Sequence, residues 1–179
     1  MKIFGYFIII FFSILHSKAQ NLIPNGGFEE YNSCPQFLSD FDDVIKYWTN
    51  ASKLGTPNYY NACSSNPETG VPNNYFGNKS AQAGSAYIGI MTSNALREYV
   101  TVTLTKPLKA GASYRLSFYS SIIKKPTCNS QGVQVLFTHQ LSSIAIDANS
   151  NLRATPSLTF FPDYDKGNWA YNQSCYIAK

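Results

Sequence analysis

Four stretches of the chain alternate apolar and polar residues with a period of two. Ala86, Ile88 and Ile90 form the first, and Val100, Val102 and Leu104 alternate with Tyr99, Thr101 and Thr103 in the second. Tyr114, Leu116 and Phe118 alternate with Arg115, Ser117 and Tyr119, and Val133, Val135 and Phe137 complete the set. Each reads as a half-buried strand with one core face. Lys106-Pro107-Leu108-Lys109-Ala110-Gly111 makes a turn between two of them, and Asn25-Gly26-Gly27 marks a turn or bulge near the start. No segment sustains three turns of helical periodicity; Leu96-Arg97-Glu98 fits a short turn at most. Strands with turns between them predict an all-β fold, an antiparallel β-sandwich or barrel, rather than βαβ units. There is no internal repeat, low-complexity tract or linker, so residues 20–179 read as one domain.

From Cys34 to Phe76 the periodicity disappears. Asn, Ser, Pro and Gly are dense, with isolated aromatics at Phe37, Phe41, Tyr47, Trp48, Tyr59, Tyr60, Tyr75 and Phe76. A loop this long inside a compact domain needs anchoring or a function.

Composition supports the β reading. Aromatic residues make up 15% of the 179, and charged residues 13%, against about 25% in an average soluble domain. That balance disfavours a helical bundle, while the aromatic and β-branched content disfavours disorder. The formal charge of +4 is too small for a nucleic-acid binder.

Residues 1–19 read as a secretory signal peptide. Met1-Lys2 supplies the positive start, Ile3–Leu15 the apolar run, and Ser17-Lys18-Ala19 the site of cleavage before Gln20. The run is shorter than the ~20 residues that span a bilayer, so no transmembrane segment is expected after its removal. No Cys stands at the cleavage point, which disfavours lipoprotein processing. The mature chain would carry 12 Lys and Arg (14 less Lys2 and Lys18) against 10 Asp and Glu, a net +2.

Export changes the reading of Cys34, Cys63, Cys128 and Cys175. An even number in an exported chain points to disulfides, with three pairings open. Zinc would require close cysteine spacing or nearby histidines, and His139 is the single histidine after residue 19.

The search for catalysis is negative. No nucleophile elbow, zinc-protease helix, P-loop or dinucleotide fingerprint is present. His139 has no partner motif and reads as a solvated strand-end residue. The pairs Glu29-Glu30, Asp42-Asp43 and Asp163-x-Asp165 read as polar turns, because glycosidases hold two carboxylates across a cleft rather than along the chain. Asp163–Gly167 lacks the further ligands of an EF-hand loop. The chain is therefore not expected to be an enzyme. Sugar binding is the remaining chemistry, since aromatic faces and placed amides suit pyranose rings and their hydroxyls. The candidates are Trp48, Asn58, Tyr59, Tyr60, Asn61, Asn73, Asn74 and Tyr75, with Arg97 and Glu98 as further polar contacts. The competing reading makes Trp48 and Tyr59 anchors between the long loop and the core.

A series of ordered motifs carries a resemblance. It begins with Asn21-Leu22-Ile23-Pro24-Asn25-Gly26-Gly27-Phe28-Glu29 and Glu30-Tyr31-Asn32-Ser33-Cys34-Pro35, then Trp48. Thr56-Pro57-Asn58-Tyr59-Tyr60-Asn61-Ala62-Cys63 and Gly70-Val71-Pro72-Asn73-Asn74-Tyr75-Phe76-Gly77 follow. Ala83-Gly84-Ser85-Ala86-Tyr87-Ile88-Gly89-Ile90 and Arg97-Glu98-Tyr99-Val100 end it. The series resembles the exported, galactose-binding-like jelly-roll domain at the N-terminus of many Bacteroidetes cell-surface proteins. In those proteins it often precedes an OmpA-like or a gliding-motility-type sorting domain.

The resemblance implies that Cys34 pairs with Cys63, and it leaves Cys128 and Cys175 outside its motifs as a second pair. It implies that Trp169–Lys179 is the penultimate strand, so that a last strand and a C-terminal partner domain are expected to be missing. It implies a structural calcium near the first strand, with Glu29 as its acid, and no other cofactor. The functional expectation is a non-catalytic, exported cell-surface or outer-membrane-associated module that binds polysaccharide or another cell-envelope glycan. The alternative is a structural or adhesive spacer that displays the missing domain.

Overall fold

The computed structural model describes residues 20–92, 97–122, 132–139, 154–161 and 167–179. The signal segment, Cys128 and Asp163-x-Asp165 lie outside the described residues. Among the described residues one short helix, α1 (Phe41–Val44), precedes ten strands: β1 (Trp48–Asn50), β2 (Asn58–Asn61), β3 (Asn73–Asn74), β4 (Gly77–Asn78), β5 (Ala86–Gly89), β6 (Val100–Val102), β7 (Ser113–Ser120), β8 (Val133–Val135), β9 (Leu158–Phe160) and β10 (Ala170–Ile177). Every strand pair is antiparallel. The all-β antiparallel architecture predicted by the alternation is therefore present and agrees with a sandwich.

The pairing is nested. β3–β4 lies within β2–β5, which lies within β1–β6, and β8–β9 lies within β7–β10. Nesting follows when a long antiparallel hairpin forms from its tip outward. The β7–β10 pair is the longest, eight residues in register from Ala170 opposite Ser120 to Ile177 opposite Ser113. Backbone bonds from Gly111 to Ala178 (2.9 Å) and from Ala178 to Ala112 (3.1 Å) continue it past the strand ends. Among the described residues β10 pairs with β7 alone.

The four alternating stretches appear as β5, β6, β7 and β8. The aperiodic region behaves differently from its sequence pattern: it contributes α1 and β1–β3 and much of the core. Phe41, Val44, Ile45, Tyr59 and Ala86 form a buried cluster, against which Phe28, Tyr31, Trp48, Ile88 and Val100 pack. These elements are only two to four residues long, too short for a period-two pattern to emerge from single aromatics set among turns. Trp48 takes the anchor role. Its ring packs on Phe28 at 5.1 Å between centroids, and its Nε1 donates to the Asn25 carbonyl at 3.0 Å.

The Cys34–Cys63 disulfide is present, joining residues 29 apart with Cα atoms at 5.7 Å. Polar groups fill the space around it. Buried Asn61 accepts from the Cys63 amide (2.9 Å), and the hydroxyls of Ser64 and Thr69 both reach the Pro35 carbonyl (2.8 and 3.0 Å). Cys175 is an exposed free thiol. Among the described residues no helix is long and apolar enough to cross a membrane.

Closing a loop of this size reduces the entropy of the unfolded chain. Replacing Cys34 and Cys63 by Ser is expected to lower unfolding stability by about 2–4 kcal/mol. Urea midpoints of the two proteins check this; an unchanged midpoint would mean that the polar network alone holds the segment.

Candidate functional site

The predicted sugar-contact residues separate into two groups. Tyr59 and Tyr60 sit on β2, a strand buried along most of its length. They are 2% and 1% exposed, so their rings are core elements rather than open faces. The Tyr59 hydroxyl donates to the Phe28 carbonyl (2.9 Å) and accepts from the Asn61 amide (2.8 Å). The Tyr60 hydroxyl donates to Asn58 Oδ1 (3.2 Å), and its ring packs on Tyr87 at 5.1 Å. Burial pushes the Tyr59 hydroxyl up to about 12, with the Asn61 bond opposing and the charges of Glu29 and Tyr31 adding. Burial raises Tyr60 further, helped by Tyr87 and Glu98. Tyr87 also rises to about 12 through burial, against a bond from Asn74.

The second group lies on the β3–β4 hairpin. Its tip places Tyr75 and Phe76 edge to face, centroids 5.1 Å apart, with Tyr75 64% exposed. Local sequence builds this turn. Asn74 Oδ1 accepts from the Phe76 amide at 3.0 Å, an Asx turn in which a side chain replaces a backbone partner. Asn78 Nδ2 donates to Asn73 Oδ1 at 2.5 Å across the two strands, and the Lys79 amide donates to the Pro72 carbonyl at 2.6 Å. The Val71-Pro72 peptide is cis. Two ties fix the hairpin to the body: Tyr75 N to the Glu68 carbonyl (3.1 Å), and Asn74 Nδ2 to the Tyr87 hydroxyl (2.6 Å).

Behind Tyr87 stands Trp169, edge-on at 5.7 Å, with its Nε1 donating to the Ser80 carbonyl at 3.0 Å. Lys79 places its Nζ 5.1 Å from the Trp169 ring centroid and donates to the Gly167 carbonyl. Burial lowers the Lys79 pKa. These supports join residues about ninety positions apart, and the local aromatic pattern did not mark them as partners. A Trp next to a strand start was the available signal.

The remaining candidates take structural places. Glu29 Oε1 accepts from the amides of Ser85 (2.9 Å) and Ala86 (3.1 Å), clamping the first loop to the start of β5. Among the described residues no three His, Cys, Asp or Glu side chains gather as a metal site. A carboxylate oxygen that accepts from two backbone N–H donors acts as a clamp between the two segments. Arg97 lies in a bridge with Thr92, on a different segment from the hairpin. Glu98 is buried, and its Oε2 accepts from the Met91 amide at 2.8 Å. Burial raises its pKa, while bonds from the Met91 and Thr56 backbones oppose the rise. Asp42 Oδ1 accepts from the Asn50 amide at 2.6 Å, in keeping with a turn role for the Asp42-Asp43 pair.

Two outcomes follow from these contacts. Gly84 has φ of +69°, and a Cβ there would run into the Glu29 carboxylate. Gly84→Ala is expected to release the clamp at a cost of about 1–3 kcal/mol, while Glu29→Gln, which keeps an acceptor, costs less; equal losses in chemical unfolding would count against the clamp. The tyrosines give a pH dependence. Their folded pKa values lie above the ordinary value of about 10, so their stabilising contribution is complete below pH ~10 and is lost as pH rises toward 12. Ionisation of Tyr59 and of Tyr87 should therefore destabilise the fold over that window. Ultraviolet titration of the folded protein should show a buried subset that ionises only above the main group; a single transition near pH ~10 without unfolding would contradict this. Comparison with family models, curated proteins and solved structures finds no match to this chain.

Proposed function

We propose that this chain is a non-catalytic, exported surface module that binds glycan through the tip of the β3–β4 hairpin. The observation that carries the reading is the exposed Tyr75, paired edge-to-face with Phe76 and flanked by the amides of Asn73 and Asn78. Aromatic faces take the C–H surfaces of pyranose rings, and amides take hydroxyls. The hairpin is tied to the body through the Tyr75 amide and the Asn74 side chain, so little ordering is needed on binding, and preorganisation conserves affinity. Trp48, Tyr59 and Tyr60 act behind it as anchors. Asn74 links the two layers, with its Oδ1 shaping the turn and its Nδ2 held by Tyr87.

The Cys34–Cys63 bridge supports export, since disulfides persist in oxidising compartments. The nested antiparallel pairing supports the jelly-roll reading. A pure spacer would be expected to bury its loop aromatics, and the openness of Tyr75 favours a contact surface instead.

Affinity electrophoresis against a panel of polysaccharides and pull-down with peptidoglycan test the proposal. Retention by at least one is expected, with Tyr75→Ala weakening it about tenfold (about 1.4 kcal/mol) and leaving the thermal midpoint unchanged. Retention by none of them would sink the binding reading, and a Tyr75→Ala protein that loses stability but no ligand would favour the spacer.

A further inference from the structure

The β7–β10 pair has one face turned inward and one left open. On the inner side Phe118 meets Phe160 edge-on at 4.9 Å, and Tyr176 stacks on Phe137 at 4.5 Å. On the outer side the register sets Tyr119 opposite Tyr171, Ser117 opposite Gln173 and Arg115 opposite Cys175. Tyr119 and Tyr171 are 46% and 53% exposed, with ring centroids 5.1 Å apart. An aromatic pair on the solvent side of a strand gains less from the fold than a core pair, because about half of its surface stays in water. Beside it lies a shallow groove of about 390 Å³ lined by Arg115, Gln173, Ser174 and Cys175.

The charge in this groove has one sign. Its lining contains a cation and no acid. Among the described residues nothing bonds the Arg115 guanidinium; the arginine with a further interaction of its own is Arg97. A free guanidinium presents a planar fork that matches a carboxylate with two parallel N–H bonds. Tyr171 to Cys175 spans about 13 Å along the strand, longer than a single sugar ring. The row therefore presents, in order, a stacking platform, an amide with a hydroxyl, and an anion-binding fork.

We propose that the open face of β7–β10 is a second glycan site, selective for uronic-acid polysaccharides, with Tyr119 and Tyr171 stacking on pyranose rings, Gln173 and Ser117 bonding hydroxyls, and Arg115 pairing with the uronate carboxylate. This site does not rest on the hairpin: it lies on different strands and uses a charge the hairpin tip lacks.

Calorimetry of the chain with polygalacturonate oligomers, and with the same oligomers methyl-esterified, tests it. The acid form should bind at least about tenfold more tightly than the ester. Arg115→Gln should abolish that discrimination, and Arg115→Lys, which keeps the charge but loses the fork, should fall between. Tyr171→Ala should weaken both forms about tenfold, while Tyr75→Ala leaves both unchanged. All these positions point outward, and thermal midpoints confirm folding of each variant. Absence of binding to polygalacturonate overturns the proposal. So does equal affinity for acid and ester, or binding that is insensitive to Arg115 and Tyr171. Self-association that vanishes in Tyr171→Ala would assign the face to a second copy of the chain and overturn it equally. Loss of polygalacturonate binding in Tyr75→Ala alone would return the activity to the hairpin.

Discussion

Every buried backbone amide and carbonyl needs a partner, and this fold has few long ladders to supply them. Among the described residues, the strands other than β7 and β10 run two to four residues. Side chains fill the gap. Asn25 alone donates to the carbonyls of Glu30 (2.8 Å) and Lys46 (3.0 Å) and accepts from the Glu30 amide (2.9 Å). Asn58 bonds the Leu38 carbonyl, Asn66 that of Gln36, and Asp40 the amides of Gln36 and Phe37. This requirement explains a composition rich in short polar residues and poor in charge. An amide can satisfy a backbone group without the desolvation cost of an ion.

The same requirement shapes the core. Asn61 and Thr69 are buried polar residues, tolerated because each is bonded to a neighbour around the Cys34–Cys63 bridge. Tyrosine serves where phenylalanine would leave carbonyls unpaired: the Tyr59 hydroxyl takes the Phe28 carbonyl and the Asn61 amide at once. The disulfide and this network act on different states. The bridge limits the unfolded chain, whereas the network satisfies the folded one.

A rigid interior leaves surface aromatics available for contact. Tyr87 is the joint between the two, since its ring packs on Tyr60 and Trp169 while its hydroxyl holds Asn74 beside the hairpin tip. The outer face of β7–β10 is separate from this arrangement. It is built from a plain ladder and exposes a tyrosine pair with an arginine that has no bonding partner among the described residues, a different chemistry for a different surface.

Sequence pattern determined the strand class, the four alternating strands and the anchoring role open to Trp48, because local alternation and turn residues are properties of neighbours along the chain. The resemblance in motifs supplied the Cys34–Cys63 pairing, which spacing left as one of three. Tertiary structure alone decided which aromatics are interior. Tyr59, Tyr60 and Tyr75 look alike as residues in an aperiodic segment, yet two are core and one is open. The difference lies in what packs across from them: β5 for Tyr59 and Tyr60, solvent for Tyr75. It also decided that Glu29 clamps residues 85 and 86, and that Lys79 meets Trp169. Those partners are far apart in sequence, and only the folding of β-pairs onto one another brings them within bonding distance.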